Sequence, residues 1–212
     1  IFAWGEAMKV LYIGCYRDGT GWANAAINYI LSLDSAEIEV VPRFIKLNSR
    51  SGEVPKRIDE LERKSDKNCD IVIQHILPHQ LDYRGEFEKN ISLYVAETDN
   101  CRGSAWPDRI NLMDEAWVPN SHLAKNFCTD SHIATPHFVI PHACDTSKYQ
   151  KQYNKLEIPH LKNKFVFYYI GEITRRKNIG ALMKAFHLEF EKNEDVALLI
   201  KGHIPGQSPD QA

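Results

Sequence analysis

Three short stretches hold residues whose types and order could do chemistry. The first is Gly14-Cys15-Tyr16-Arg17-Asp18-Gly19-Thr20-Gly21, a glycine-rich loop after an apolar run. Glycines ahead of a helix let backbone amides approach an anion, and the helix dipole favours the negative charge. The loop is not a P-loop, because Thr20 stands where the phosphate-gripping lysine belongs, and GxGxxG spacing is absent too. A tight turn with no ligand accounts for the same glycines. The second stretch is Glu97-Thr98-Asp99, which follows the apolar run 91–95. Acids at the carboxyl end of a parallel strand face a ligand cleft, although Thr98 and Asp99 could equally cap a turn. The third is Arg175-Arg176-Lys177, ahead of a helical pattern. Three cations there oppose the helix dipole, which points to an outside anion such as phosphate. A solvated basic turn is the plainer account, since salt screens that cost.

The elements that must position these residues alternate along the chain. Apolar runs predict strands at 9–14, 38–41, 70–74, 91–95, 115–118 and 138–140. Helical spacing of Trp22, Ala25, Ala26, Tyr29, Ile30 and Leu33 predicts a helix over 21–33. A charged helix follows over 55–64 with Pro55 in its first turn, and another is capped by Asn120 or Ser121. Alternation of strands and helices implies α/β architecture with a parallel sheet. The expected domains are 8–144, a lysine-rich linker over 145–164, and an incomplete second unit over 165–212. That unit has strands at 165–171 and 196–200 and a helix bearing Ile179, Leu182, Met183 and Phe186. One strand–helix–strand unit cannot cover both faces of its strands, so the second domain reads as cut short.

Composition narrows the function classes. The 212 residues are 43% hydrophobic and 25% charged with a formal charge of -2, the balance of a soluble globular protein. Nothing in the overall charge steers the chain to nucleic acid or an anionic membrane. No apolar run approaches the roughly 18 residues of a membrane span. Residues 1–7 lack a basic start and a long apolar core, so no signal peptide is read there, and Met8 reads as the natural start. Cys15, Cys69, Cys101, Cys128 and Cys144 are odd in number with no CxxC pair, which suits reduced thiols in the cytoplasm. Nine histidines include no HExxH or comparable spacing, so no metal site is expected.

In order and spacing, these stretches resemble one family. Glu97-Thr98-Asp99, followed by Met113-Asp114-Glu115-Ala116-Trp117-Val118-Pro119-Asn120-Ser121, is similar to a signature of the glycogen-synthase-like retaining GT-B glycosyltransferases. Val139-Ile140-Pro141-His142-Ala143-Cys144-Asp145 is similar to that family's I-P-x-G-V-D at the domain junction, and residues 165–186 resemble the opening of its C-terminal domain. The resemblance implies two Rossmann-like domains, the first on the acceptor side and the second, truncated here, on the donor side. It implies sugar transfer with retention from a nucleoside diphosphate sugar, a co-substrate rather than a cofactor, to a glycan, lipid or small-molecule acceptor, without a metal. Gly19, Thr20, Gly21, Arg175, Arg176 and Lys177 would then bind the donor, with Lys177 and an arginine neutralising the leaving diphosphate. Glu97 and Asp99 would be catalytic, contacting the transferred sugar or orienting the acceptor.

Two departures stand out. Glu172 occupies a position where many relatives place arginine, and the family's E-x7-E glutamate pair is absent from these residues. The expectation is therefore a chain inactive on its own, without nucleic-acid partners or integral membrane segments, that pairs into a homodimer through 165–200. A non-catalytic sugar-phosphate- or nucleotide-binding or scaffold protein of the same fold is the alternative.

Overall fold

A computed structural model describes residues 8–204; the stretch 1–7, read above as no signal peptide, lies outside them. The chain divides into two compact units, at Lys148 and Tyr149. The first carries six strands, β1 (Lys9–Gly14), β2 (Glu39–Phe44), β3 (Ile71–His75), β4 (Lys89–Leu93), β5 (Glu115–Val118) and β6 (His137–Val139). They form one sheet in the order β2-β1-β3-β4-β5-β6, with every neighbouring pair parallel. Helices α1 (Gly21–Ser35), α2 (Lys56–Glu62), α3 (Trp106–Ile110) and α4 (Cys128–Ser131) flank it. The unit is a Rossmann-like α/β fold.

Alternation along the strands separates two cores, as a period of two requires. Val10, Tyr12, Ile71, Ile73, Ile91 and Leu93 face one way and pack with Ala26 and Ile30 of α1 and Ile58 and Leu61 of α2. Leu11, Val41 and Val72 face the other way. On that second side Ala116 and Val118 pack with Ile110 of α3 and with Leu123 and Phe127.

Several element ends differ from the sequence expectation for identifiable reasons. Strand β2 continues through Pro42 to Phe44, because it is an edge strand where a missing N–H breaks no ladder. Strand β4 starts at Lys89 and ends at Leu93, two residues earlier than its apolar run suggests. Lys89 pairs in register with Ile71, and its ammonium reaches Glu115 Oε1 at 2.5 Å, so a charged residue opens the strand. Asn120 does cap the next helix, its Oδ1 accepting from Leu123 N–H at 3.0 Å. Residues Leu123–Phe127 then wind as a π-helix before α4, and the Cys128 thiol donates to Leu123 O.

The second unit holds β7 (Phe165–Glu172), a 3-10 turn at Arg175–Lys177, α5 (Ile179–Glu189) and β8 (Val196–His203). The two strands pair in parallel from Phe165↔Val196 to Glu172↔His203. Phe167 packs on Phe186 and Phe190 with ring centroids 6.0 and 5.4 Å apart. Much apolar surface remains exposed, including Phe165, Tyr168 and Ile170 on β7 and Met183 and Leu188 on α5. The linker expected over 145–164 contains short 3-10 turns at Thr146–Tyr149 and Pro159–Leu161 and is otherwise irregular.

Candidate functional site

Strand order reverses at β1: the chain goes from β1 outward to β2, then returns to place β3 on the other side. In open parallel sheets, ligands bind beyond the carboxyl ends of the strands at such a switch point. The loop carrying Gly19, Thr20 and Gly21 leaves the carboxyl end of β1, and the loop carrying Glu97 and Asp99 leaves that of β4. Both therefore lie on the same edge, with the end of β3 between them.

The first loop is held rigidly. Arg17 is gripped by Asp59 and Glu62 of α2, and the Tyr16 hydroxyl donates to Glu62 Oε1 at 2.5 Å. Burial works against the Glu62 carboxylate, yet the Arg17 and Tyr16 hydrogen bonds hold its pKa below the usual range. Asp18 is fully buried; its Oδ2 accepts from Leu47 N–H at 3.0 Å, while Oδ1 is enclosed without a partner among the described residues. Gly19 takes φ +62° and packs directly on the backbone of Ser51 and Gly52. A Cβ on Gly52 would come within 2.5 Å of Gly19 Cα, so the two glycines let two backbones touch. Thr20 is the N-cap of α1, its Oγ1 accepting from Ala23 N–H at 3.1 Å. Gly21 opens the helix, and nothing lies within 4 Å of where its Cβ would be. Beside the loop, burial and then the Asp18 charge push the Cys15 thiol up to about 11, so it is a thiol rather than a thiolate at neutral pH.

At the end of β3 lies a residue the sequence reading passed over. His75 is 1% exposed. Its Nδ1 is 2.7 Å from the Tyr12 hydroxyl, and the Trp22 ring stacks on it at 5.3 Å. Burial, reinforced by nearby His142, lowers the His75 pKa to about 3, so the imidazole is neutral. Tyr12 is itself buried, and its hydroxyl proton would be stranded if it did not donate to His75. Nδ1 is thus the acceptor, leaving Nε2–H as the ring's donor, with no partner among the described residues. Tyr29 extends the cluster: its hydroxyl donates to Ile140 O at 3.0 Å and meets His142 Nδ1 at 3.2 Å. Having spent its one proton on Ile140, Tyr29 receives the N–H of His142. Tyr12 and Tyr29 also line a cavity of about 200 Å³ with Leu93, Trp117, Ile140 and Pro141.

The acids differ from the glycine loop in being open. Glu97 and Asp99 are exposed, with no hydrogen bond or ion pair among the described residues. The local turn is made instead by Thr98, whose hydroxyl donates to Asn100 O at 3.0 Å, and by Asn100, whose Oδ1 accepts from Arg102 N–H at 3.2 Å. Just before them, Tyr94 is buried and its hydroxyl lies 2.8 Å from His137 Nε2, which anchors the base of the loop.

In the second unit Arg175, Arg176 and Lys177 are exposed on a single 3-10 turn, without side-chain partners among the described residues. Asn178, at φ 50°, reverses the backbone and starts α5. Left-handed geometry suits asparagine better than most side chains. Glu172 lies 3.7 Å from His203 Nε2.

The site as read from sequence thus falls into an edge of the first sheet and a basic turn in the second unit, and His75, Trp22, Tyr29 and His142 were missed. A signal existed for one of them: a strand read as ending at Gln74 left His75 at the mouth of the sheet. Among the described residues, no three His, Cys, Asp or Glu side chains group as a metal site, and no helix is long and apolar enough to cross a membrane. No family model matches the chain, and no curated protein matches it.

Proposed function

We propose that this chain is the acceptor-side domain and the opening of the donor-side domain of a retaining glycosyltransferase that uses a nucleoside diphosphate sugar. The observation that carries the reading is the shared edge. The Gly19–Gly21 and Glu97–Asp99 loops leave the carboxyl ends of β1 and β4, with the neutral imidazole of His75 ending the strand between them. Two open carboxylates suit recognition of sugar hydroxyls, which can donate to them. Arg175, Arg176 and Lys177, exposed on one turn, supply cations for a diphosphate, whose growing charge is the main quantity such an enzyme must stabilise. In this reading the protein works in the cytoplasm, on a glycan, lipid or small-molecule acceptor, and the chain alone does not complete transfer.

Calorimetric titration with uridine, guanosine and adenosine diphosphates tests the proposal. Binding of one of them is expected, and no binding of any would overturn the donor half of it.

A second reading, a non-catalytic sugar-phosphate- or nucleotide-binding or scaffold protein of the same fold, draws for its scaffold form on Gly19. Its contact with Gly52 explains that glycine without a ligand. The two readings separate on the gene product: transfer restored in a chain containing a downstream E-x7-E pair supports the enzyme, and a natural stop at Ala212 supports the binding protein.

A further inference from the structure

We propose that residues 149–164 form a docking strip for an anionic lipid surface. From 149 to 157 every residue is exposed, and apart from the end of a 3-10 turn at Tyr149 none lies in a helix or strand. Connecting segments are ordinarily polar. This one holds Tyr149, Tyr153 and Leu156 at 71%, 75% and 78% exposure. It also carries Lys151, Lys155, Lys162 and Lys164 against a single acid, Glu157, in a chain whose overall charge is -2. Local concentration of cations outweighs the mild overall charge at close range, because screening confines each field to about 8–10 Å.

An anionic bilayer surface satisfies both features at once. Tyrosine rings settle at headgroup level with the hydroxyl in water, and leucine enters the acyl boundary. Lysines within a Debye length of the surface each strengthen attachment by about fivefold. Single-stranded nucleic acid also takes lysines with aromatic rings, but it is held in a groove by successive stacked bases and by arginine. The strip has no arginine, and Leu156 offers no face to a base. The inference is independent of the sugar-transfer reading, since it uses none of the residues at the sheet edge or on the basic turn.

Vesicle flotation of the whole chain tests it, because aggregates sink while bound protein rises. The chain should float with phosphatidylcholine vesicles containing phosphatidylserine, stay behind with phosphatidylcholine alone, and be released by high salt. Lys151→Glu with Lys155→Glu and Lys162→Glu should weaken flotation on the order of a hundredfold. Tyr149→Ser with Tyr153→Ser and Leu156→Ser should also weaken it, with both variants still unfolding cooperatively on heating. No flotation with the anionic vesicles, flotation insensitive to both variants, or binding of polyuridylate in place of vesicles would overturn the proposal.

Discussion

Tyr12 and His75, side by side on β1 and β3, share a 2.7 Å hydrogen bond in which burial decides the direction of the proton. The folded protein keeps His75 neutral down to about pH 3, whereas the unfolded chain takes up a proton near pH 6.5. The unfolded state therefore binds more protons between those values. Stability from this residue is complete above about pH 6.5 and falls as the pH drops toward 3. Each unit in that window removes up to about 1.4 kcal/mol. His75→Gln should flatten that slope, as measured by denaturant unfolding at a series of pH values. An identical slope in the variant would show that other groups set the acid limit.

Gly52→Ala should destabilise the first unit by about 1–3 kcal/mol, the range for overpacking, because the atom in the way is backbone rather than a side chain that can turn aside. Gly19→Ala adds a left-handed φ that alanine resists. Combined, the two should cost less than their sum, since either one already pushes the same backbones apart. Urea titrations of the three variants check this; strict additivity would mean the contact is not shared.

How far these elements were legible follows from what each strand asks of its residues. Residues 9–14 and 115–118 were read to their true ends because, after the opening Lys9 and Glu115, strands inside the sheet carry only apolar side chains or glycine. Strand β4 was misplaced because Tyr94 and Val95 look like strand residues. Tyr94 instead anchors a loop through His137, and Lys89 belongs to the strand through a partner 26 residues away. The helix after Asn120 was legible from its cap, but its π-helical winding over Leu123–Phe127 was not, and the five-residue α3 is too short to show a periodicity. The acids and cations were visible because their types are unusual where they stand. His75 was not, because its role arises from Trp22, Tyr12 and His142, which only the fold brings near it.

Glu97→Gln and Asp99→Asn should leave unfolding free energy within about 0.5 kcal/mol of the parent, as expected of exposed residues without side-chain partners among the described residues. Any change should appear in acceptor-glycan binding, followed by calorimetry or chemical-shift titration. A large loss of stability would show these acids to be structural.

In a protein carrying the complete donor-side domain, Lys177→Ala should weaken nucleoside diphosphate binding by about 1.5–3 kcal/mol, the range for a hydrogen bond to a charged group. Isothermal titration reads this directly. Unchanged affinity would make the basic turn merely solvated.

The bare side chains of β7 and α5, with Tyr168 at 72% and Leu188 at 88% exposure, should drive self-association through residues 165–200. Light scattering at tens of micromolar should report a dimer, and a clean monomer would contradict it.

The placement of β3 between β1 and β4 also sets a length. Neighbouring strands run about 4.8 Å apart, so the two strand ends that launch the glycine and acid loops are separated by roughly 10 Å. A molecule held at both ends has to span that gap, which a lone phosphate ion cannot do. In the sugar-transfer reading that spacing would act as a ruler, suiting an extended acceptor that bridges the two loops better than a compact ion.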